Sequence, residues 1–529
     1  MKRQYFNMIE RIFFGFFFLS LTGCATVSNV QPINSYSRYD NYTQYNDKQY
    51  LVAKTDQRLN SPDEYFRKER DTLKTRRKLN QLSEPANDEI GLSFSGGGIR
   101  SNAFQLGLLS GLYEKNFLKK VDYISAVSGG SWAAGAYKAY AKNDRELFEA
   151  LDAIVRRDDL EITNDKHMRP LFNSYEKALD EIISSKKDIL DFHLGSPSQE
   201  DWRKMLRTNV LNNNDILLDQ LNKKKGAARP FIIFNATHDY AYSPIKYENE
   251  NIEKKFPFEI TSDFVGTLAD CGNIGTGDCS SGDSNLHYMG IFTSTTHPEL
   301  TPLFVSYAMA ISGAVIPPRT FFFPVNILEW KLEIPPIDSE QKLYRDKMML
   351  SDGGHSENLG VLALMERKVP RIIISDISYD PDNPKEELEI LNHYADNFFG
   401  MKIELDPKQK NTGKKGYQEI FKYNYCWKDL NCTDHPIGTI LYIRPQFYDT
   451  PNGFQYYLKK DPGTSHLRTY LDTLFAVTDI KFPTDKTLAV SYEYKLIFCY
   501  YLLGRYFATE LLKPELIKEK WLEEKTAKQ

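Results

Sequence analysis

Three serines lie in the stretch ISAVSGGSWAAG, residues 124–135, beside a pair of glycines. A serine is a candidate nucleophile when a strand ends in a sharp turn that exposes its hydroxyl above a helix N-terminus, as in the pattern GxSxG. Neither candidate fits fully, because Ala126 takes the first glycine position for Ser128 and Ala133 takes the second for Ser131. Ser128 directly follows the predicted strand VDYISAV and is therefore favoured, with an ordinary strand–helix loop as the alternative.

A run of glycines, Gly96 to Gly98 in SFSGGGIRS, follows another predicted strand and ends thirty residues before Ser128. Successive backbone N–H groups in such a loop can point into one concavity and bind a phosphate or a developing oxyanion. The spacing matches neither GxGxxG nor GxxxxGK[ST], which disfavours a nucleotide site. Arg100 adds a cation that suits either a lipid phosphate or a structural salt bridge.

The third candidate is Asp352 in LSDGGHSENLG, which follows an apolar run and precedes two glycines. This context places a carboxylate at the end of a strand, although Asp-Gly sequences also cap ordinary turns. His355 and His238 could complete a Ser-His-Asp triad. The α/β-hydrolases, however, place the serine after several strands and the histidine last, which is not the order found here.

The motifs SGGGIRS, YISAVSGGSW and SDGGHSENLG, in this order, resemble the patatin-like phospholipases and, more closely, the catalytic domain of cytosolic phospholipase A2. The resemblance covers residues 88–380. It implies an α/β fold, a three-layer sandwich with a mainly parallel central sheet and a helical insertion. It also implies a lipid acyl hydrolase of phospholipase A or lysophospholipase type that forms an acyl-enzyme.

The resemblance also assigns roles at the site. Ser128 matches the nucleophile and Asp352 the partner in a Ser–Asp dyad. The oxyanion glycines match three consecutive positions, Gly96, Gly97 and Gly98. Arg100 matches the arginine after them, which would support a substrate phosphate or the oxyanion. FNATHD at 234–239 and AISGAVIPP at 310–318 look like family segments that line the site.

The sequence departs from the family pattern at Ala126, where the family has glycine, and at Ser101, where a small apolar residue is common. A C2-like calcium-binding module is not found before the catalytic region, so neither calcium nor another metal or cofactor is implied. Two other functions stay open. One is a Ser-His-Asp esterase, and the other is a non-catalytic, lipid-anchored module that holds lipid in an inactivated pocket.

The N-terminus predicts a membrane-anchored protein. A basic start, MKRQYFNMIER, precedes the apolar IFFGFFFLS and the tetrapeptide LTGC, which resembles the bacterial lipobox. We expect residues 1–23 to be a lipoprotein signal peptide and Cys24 to carry the fatty-acyl chains, palmitate among them. Residues 24–60 are polar and predict a flexible tether. Ala25 after the lipidated residue favours the outer membrane of a bacterial cell envelope; an uncleaved anchor or a buried helix is the alternative.

The remaining cysteines fit an oxidising compartment. Cys271 with Cys279, and Cys426 with Cys432, are close enough in sequence to form disulfides that close surface loops. A zinc site built from these four is the alternative, but neither pair has CxxC spacing. Cys499 lies in the apolar LIFCYYLLG and is predicted to be a core thiol.

Residues 61–529 are predicted to form one domain, with a helical insertion at about 143–229 and a C-terminal extension at about 400–529. The segment 61–82 predicts a helix with a solvated charged face; a membrane-facing role for four of its basic residues, Lys74, Arg76, Arg77 and Lys78, is the alternative. The apolar segment 487–512 predicts a buried helix, since charges interrupt it.

The formal charge of −4 over 529 residues provides no basic field for nucleic acid. The expected partners are a phospholipid or other lipid ester and, through the anchor, the membrane. The sequence identifies no protein partner.

Overall fold

The computed structural model describes residues 62–140, 143–156, 203, 206–208, 210–211, 214–239, 255–271, 284–290, 304–313, 330–333, 347–378, 386–408, 420–445, 450–477, 482 and 494–522. They belong to one compact unit that spans residues 46–241 and 247–529. The predicted signal peptide, Cys24, the tether, Cys279 and most of the predicted insertion lie outside the described residues.

In the described part of the chain, twelve strands form one sheet. They are β1 (Ile90–Phe94), β2 (Tyr123–Val127), β3 (Phe231–Asp239), β4 (Lys255–Ile260), β5 (Phe264–Cys271), β6 (Ser284–Gly290), β7 (Trp330–Glu333), β8 (Lys347–Asp352), β9 (Arg371–Ser375), β10 (Met401–Leu405), β11 (Ile420–Trp427) and β12 (Gly438–Ile443). Their spatial order is β10-β11-β12-β9-β1-β2-β3-β4-β5-β6, with β8 pairing with both β3 and β7.

The sheet is parallel only at its centre. The neighbours β12, β9, β1, β2 and β3 run parallel, whereas the pairs on both sides of them are antiparallel. The predicted parallel sheet is therefore confirmed for the five central strands, within a sheet that is mixed overall. All five residues of β1 and of β2 are buried, as expected for strands covered on both faces.

The described α-helices are α1 (Pro62–Leu79), α2 (Gly98–Glu114), α3 (Gly129–Ala139), α4 (Asp144–Val155), α5 (Val305–Ser312), α6 (Leu362–Glu366), α7 (Glu386–Phe399), α8 (Thr450–Lys460), α9 (Ser465–Val477), α10 (Tyr494–Tyr506) and α11 (Lys513–Lys518). A π-helical segment, Phe507–Leu512, joins the last two. Helices of both sheet faces bury separate apolar clusters: Leu92 and Ile124 pack with α2 and α10, and Ile372 and Ile374 pack with α6 and α7. The predicted three-layer sandwich is thus confirmed.

Helix α1 forms as predicted, but the prediction that its charged residues form a solvated or membrane-facing surface is wrong for three of them, Glu69, Arg76 and Arg77, which are buried. Arg76 and Arg77 are 1% and 3% exposed. Their guanidinium groups bind opposite oxygens of Asp122, at 2.9 and 2.7 Å, just before β2. The reason is that Asp122 is fully buried, and a buried carboxylate requires paired charges. Lys74 and Lys78 are exposed.

The C-terminal region is part of the same fold. Its strands β10 to β12 extend the sheet beyond β9, and α10 crosses α2 so closely that backbone meets backbone. A Cβ atom on Gly107 would lie 1.8 Å from the Tyr501 carbonyl oxygen, and one on Gly504 would lie 2.0 Å from that of Phe104. Helix α10 is buried as predicted, and no described helix is both long and apolar enough to cross a membrane.

Two cations hold the end of the insertion against α3. Arg229 Nη1 donates to the carbonyls of Tyr137 and Tyr140, at 2.7 and 2.9 Å, and so occupies the C-terminus of α3. Lys138 Nζ donates in return to Gly226 and Pro230, at 2.8 and 2.7 Å. Cations at helix C-termini are favourable because they pair with the last carbonyl groups. Helix α3 is therefore anchored at the end remote from Ser128.

The structure gives the oxidation state of three of the six cysteines. Cys426 and Cys432 are joined by a disulfide, with their Cα atoms 5.0 Å apart. Cys499 is a free, fully buried thiol, as predicted. The side chain of Cys271 and all of Cys279 lie outside the described residues, so their pairing stays a prediction.

The buried pair of arginines makes a testable contribution to stability. Replacing Asp122 with alanine leaves the buried Arg76 without a carboxylate and leaves Arg77 with only Asp88, and we expect a loss of about 3–5 kcal/mol in the free energy of unfolding. Urea denaturation measures this loss. Asp71→Ala, which removes an exposed partner of Lys74 on the same helix, is the control and should leave unfolding unchanged. Equal midpoints for the two variants would contradict the prediction.

Candidate active site

Strand β3 brings the predicted nucleophile and carboxylate together. Its partner β2 ends at Val127, which pairs with Asn235. Strand β4 occupies the opposite edge of β3, so β8 pairs where β2 stops, with Asp352 opposite Ala236. Val127 and Asp352 therefore face adjacent β3 residues along one edge. The chain leaves the sheet at this point from both strands, into the Ser128 turn and the Gly353 turn.

Ser128 occupies a strained turn between β2 and α3. It has φ 50° and ψ −123°, which is left-handed backbone that a residue with a side chain rarely adopts. Such a conformation costs about 1–3 kcal/mol and persists where the surroundings enforce it. The Ser128 side chain makes no cap hydrogen bond to the helix that starts at Gly129, and a strained turn between a strand and a helix is typical of a nucleophile elbow. Ser131, the rejected alternative, donates its hydroxyl to the Ser128 carbonyl at 2.5 Å.

The glycine loop lies directly against this turn. Gly97 and Gly98 have φ 137° and 59°, conformations open to glycine. A Cβ atom on Gly129 would lie 1.9 Å from the Gly98 carbonyl oxygen, so only glycine at position 129 permits this approach. The Gly96 amide is already used, since it donates to the Asn358 carbonyl at 2.9 Å. Among the described residues nothing accepts from the amides of Gly97 and Gly98, so these two of the three predicted oxyanion donors have no competing acceptor.

Asp352 is a buried carboxylate, 3% exposed. Oδ1 accepts the Gly354 amide at 2.7 Å, whereas Oδ2 is buried with no hydrogen-bond partner among the described residues. Burial raises the pKa of Asp352 to about 7, against the smaller lowering effects of the Gly354 amide and the nearby Ser128 hydroxyl. The hydroxyl thus lies near the carboxylate without a normal hydrogen bond, and catalytic hydrogen bonds are often long before substrate binds.

The other predicted site residues lie further from this pair. Arg100 is in the first turn of α2 but is 1% exposed, so a lipid phosphate could reach its guanidinium only after a rearrangement. The Nδ1 atom of His355 hydrogen-bonds with Ser351 Oγ at 3.0 Å. The side chain of His238 lies outside the described residues. The Ser128 hydroxyl is close enough to Asp352 to lower the pKa of its carboxyl group, although burial raises that pKa by more.

Several residues at the site were not singled out from the sequence. Ser312 accepts the Ser128 amide at 3.0 Å, and Asn235 Nδ2 donates to Ser125 Oγ at 2.8 Å. Asn358 matches the aspartate motif in the sequence, but its bond was not predicted: Nδ2 donates to Glu387 Oε1 at 2.9 Å. The segments FNATHD, AISGAV and SENLG were recognised, but a motif does not show which of its polar side chains bonds to which backbone group.

Glu357 was also missed. It is 4% exposed and accepts the amides of Leu359 and Val361, at 2.5 and 2.8 Å. Burial raises the pKa of Glu357 to about 7, although these amides lower it. Its carboxyl group closes the loop between Asp352 and α6 and contributes to the shape of the site. No cluster of His, Cys, Asp or Glu within the described part of the chain could hold a metal ion.

Comparison with known proteins gives the fold and the family of this chain. Human GIVD cytosolic phospholipase A2 superposes with a TM-score of 0.50 at 15% sequence identity, over 87% of this chain and 64% of that one. The same human enzyme in complex with methyl gamma-linolenyl fluorophosphonate gives a TM-score of 0.48 at 14% identity, over 87% and 63%. The chain thus spans less than two thirds of the length of these structures. A comparison with curated proteins gave no match.

The superposition shows a shared fold, and a sequence-family model adds to it. The model described as patatin-like phospholipase matches residues 92–365, which is 274 of the 529 residues and runs from β1 through Ser128 and Asp352 to α6. Because this match covers more than half of the sequence, the chain belongs to the patatin-like phospholipase family.

Proposed function

We propose that this protein is a serine acyl hydrolase of phospholipase A or lysophospholipase type, which cleaves fatty-acyl esters through Ser128 and Asp352. Membership of the family implies a hydrolase that acts on lipid esters. The observation that carries the residue assignment is the shared edge of β3, which brings the strained serine beside a buried carboxylate with one unpartnered oxygen. A Ser-His-Asp triad and a non-catalytic module stay alternatives.

Acylation begins when Ser128 Oγ attacks the ester carbonyl carbon and its proton passes to Asp352 Oδ2. A free Asp is a weak base, and burial is what raises the basicity of this one. The oxygen that becomes negative is stabilised by the amides of Gly97 and Gly98, which are held in place before substrate binds. Collapse of the intermediate expels the alcohol, and Asp352 returns the proton to it.

Deacylation repeats these steps with water. Asp352 takes a proton from water, the resulting hydroxide attacks the acyl carbonyl, and Ser128 leaves with the proton that Asp352 returns. The products are a free fatty acid and the regenerated enzyme. Asp352 ends the cycle ionised and the Ser128 hydroxyl ends it protonated, as both began, so the reaction consumes no cofactor.

We also propose that the protein is a bacterial lipoprotein of the outer membrane, anchored through Cys24 after removal of residues 1–23. A tether of residues 24–60 would have a root-mean-square span of about 35 Å, enough to let the catalytic unit meet lipid in the same membrane. Several acyl chains, each CH₂ contributing about 0.8 kcal/mol, make such anchoring stable. The proposed partners are lipid esters and the membrane, with no role for nucleic acid.

Removing the nucleophile tests the proposed function. The full-length protein in detergent should release fatty acid from mixed phospholipids, detected by mass spectrometry, and Ser128→Ala should reduce the rate about 10⁴-fold or more. Ser110→Ala is the matched control, since Ser110 is a buried serine at the far end of α2. Equal activity in wild type and Ser128→Ala would exclude Ser128 as the nucleophile.

The pH dependence follows from Asp352. As a base it works only when ionised, and its pKa is about 7 because burial disfavours the charge. We expect kcat/KM to rise about tenfold per pH unit below 7 and to level off above it. Initial rates between pH 5 and pH 9 on a neutral ester measure this dependence. A profile that is flat between pH 5 and pH 7 would argue against Asp352 as the base.

The anchor is tested separately. Expression in bacteria fed labelled palmitate should label the wild-type protein, whereas Cys24→Ser should remain unlabelled because it lacks the acceptor thiol. Cys499→Ser, which changes a buried core thiol, is the matched control and should be labelled like wild type. Labelling of Cys24→Ser would show that attachment occurs elsewhere.

A further inference from the structure

The backbone amide of Ser128 has a specific partner outside the elbow. Ser312 Oγ accepts this N–H at 3.0 Å and donates its own hydroxyl proton to the Asn235 carbonyl at 2.5 Å. Ser312 is fully buried, so water does not compete for either bond. One hydroxyl therefore ties the strained turn to β3, the strand that also positions Asp352.

The helix that carries Ser312, α5, is held by contacts at both of its ends. At the N-terminal end of α5, Asp215 accepts the Ser306 amide and hydroxyl, at 3.1 and 2.5 Å. At the C-terminal end, the indole of Trp132 lies against Gly313, where a Cβ atom would be 2.6 Å from the indole nitrogen. Trp132 is on α3, the helix that starts directly after Ser128. Ser312 is thus a fixed point relative to the turn it contacts.

We propose that Ser312 is a positioning residue for acyl transfer, which holds the amide side of the Ser128 turn so that Oγ stays aimed between Asp352 and the Gly97–Gly98 amides. This role rests on the proposed function of Ser128. Ser312 does not touch the substrate or the reacting atoms. Without its hydroxyl, the Ser128 amide is buried with no acceptor, and the turn can relax from its left-handed conformation.

The test compares three variants of the full-length protein. Ser312→Ala should lower kcat about 10²-fold with KM unchanged, because a displacement near 1 Å misaligns the nucleophile without altering the lipid-binding surface. It should also slow the covalent labelling of Ser128 by a fluorophosphonate to a similar extent. Ser312→Thr keeps the hydroxyl and should retain kcat within about tenfold of wild type. Ser262→Ala, another buried serine with a hydrogen-bonded hydroxyl, should behave like wild type.

Each outcome is decisive. The proposal fails if Ser312→Ala keeps the wild-type kcat and labelling rate, or if its loss appears in KM instead. It also fails if a folded Ser312→Thr loses as much activity as alanine, since the hydroxyl would then be irrelevant. Melting temperatures of all variants identify unfolding, and Ser312→Thr decides the matter if Ser312→Ala does not fold. If wild type neither releases fatty acid nor is labelled at Ser128, the proposed function fails together with this role.

Discussion

Everything at the site depends on one edge of β3. This strand pairs with β2 as far as Asn235 and with β8 from Ala236 onward. Hydrogen-bonded strands lie about 4.8 Å apart, so the two segments that leave this edge have little freedom to separate. Ser128 and Asp352 are 224 positions apart in the chain. The backbone hydrogen bonds of β3 with β2 and β8, which depend little on side-chain identity, bring these two distant positions into contact.

The site contains two energetically unfavourable features, and the proposed acyl transfer uses both. One is the left-handed Ser128, and the other is the carboxyl group of Asp352, whose pKa burial raises from 3.8 to about 7. A raised carboxyl pKa means that stability falls as pH rises from about 4 to 7, since ionisation is easier in the unfolded chain. The close contact of Gly98 with Gly129 and the Gly354 amide hold these features in place.

The sequence was sufficient for the candidate pair and the fold class because motif order is a one-dimensional property. It could not show that Gly96 uses its amide on Asn358, since that contact depends on the register between distant loops. It also failed for Arg76 and Arg77, because a charge-rich helix looks solvated until its partner Asp122 is known to be buried. The antiparallel pairing of β8 with β3, on which the site depends, likewise produces no periodic pattern in the sequence.

The crossing of α2 and α10 determines when the candidate site can form during synthesis. Helix α2 begins at the glycine loop, and its Gly107 contacts the Tyr501 backbone, so the layer behind the loop is incomplete until the ribosome has passed residue 506. Strand β1 likewise lacks its neighbour on one side until β9 has been synthesised. Contacts this distant in sequence form late. A nascent chain that has not reached α10 lacks the packing behind the glycine loop, so the candidate site can assemble only after α10 has been made.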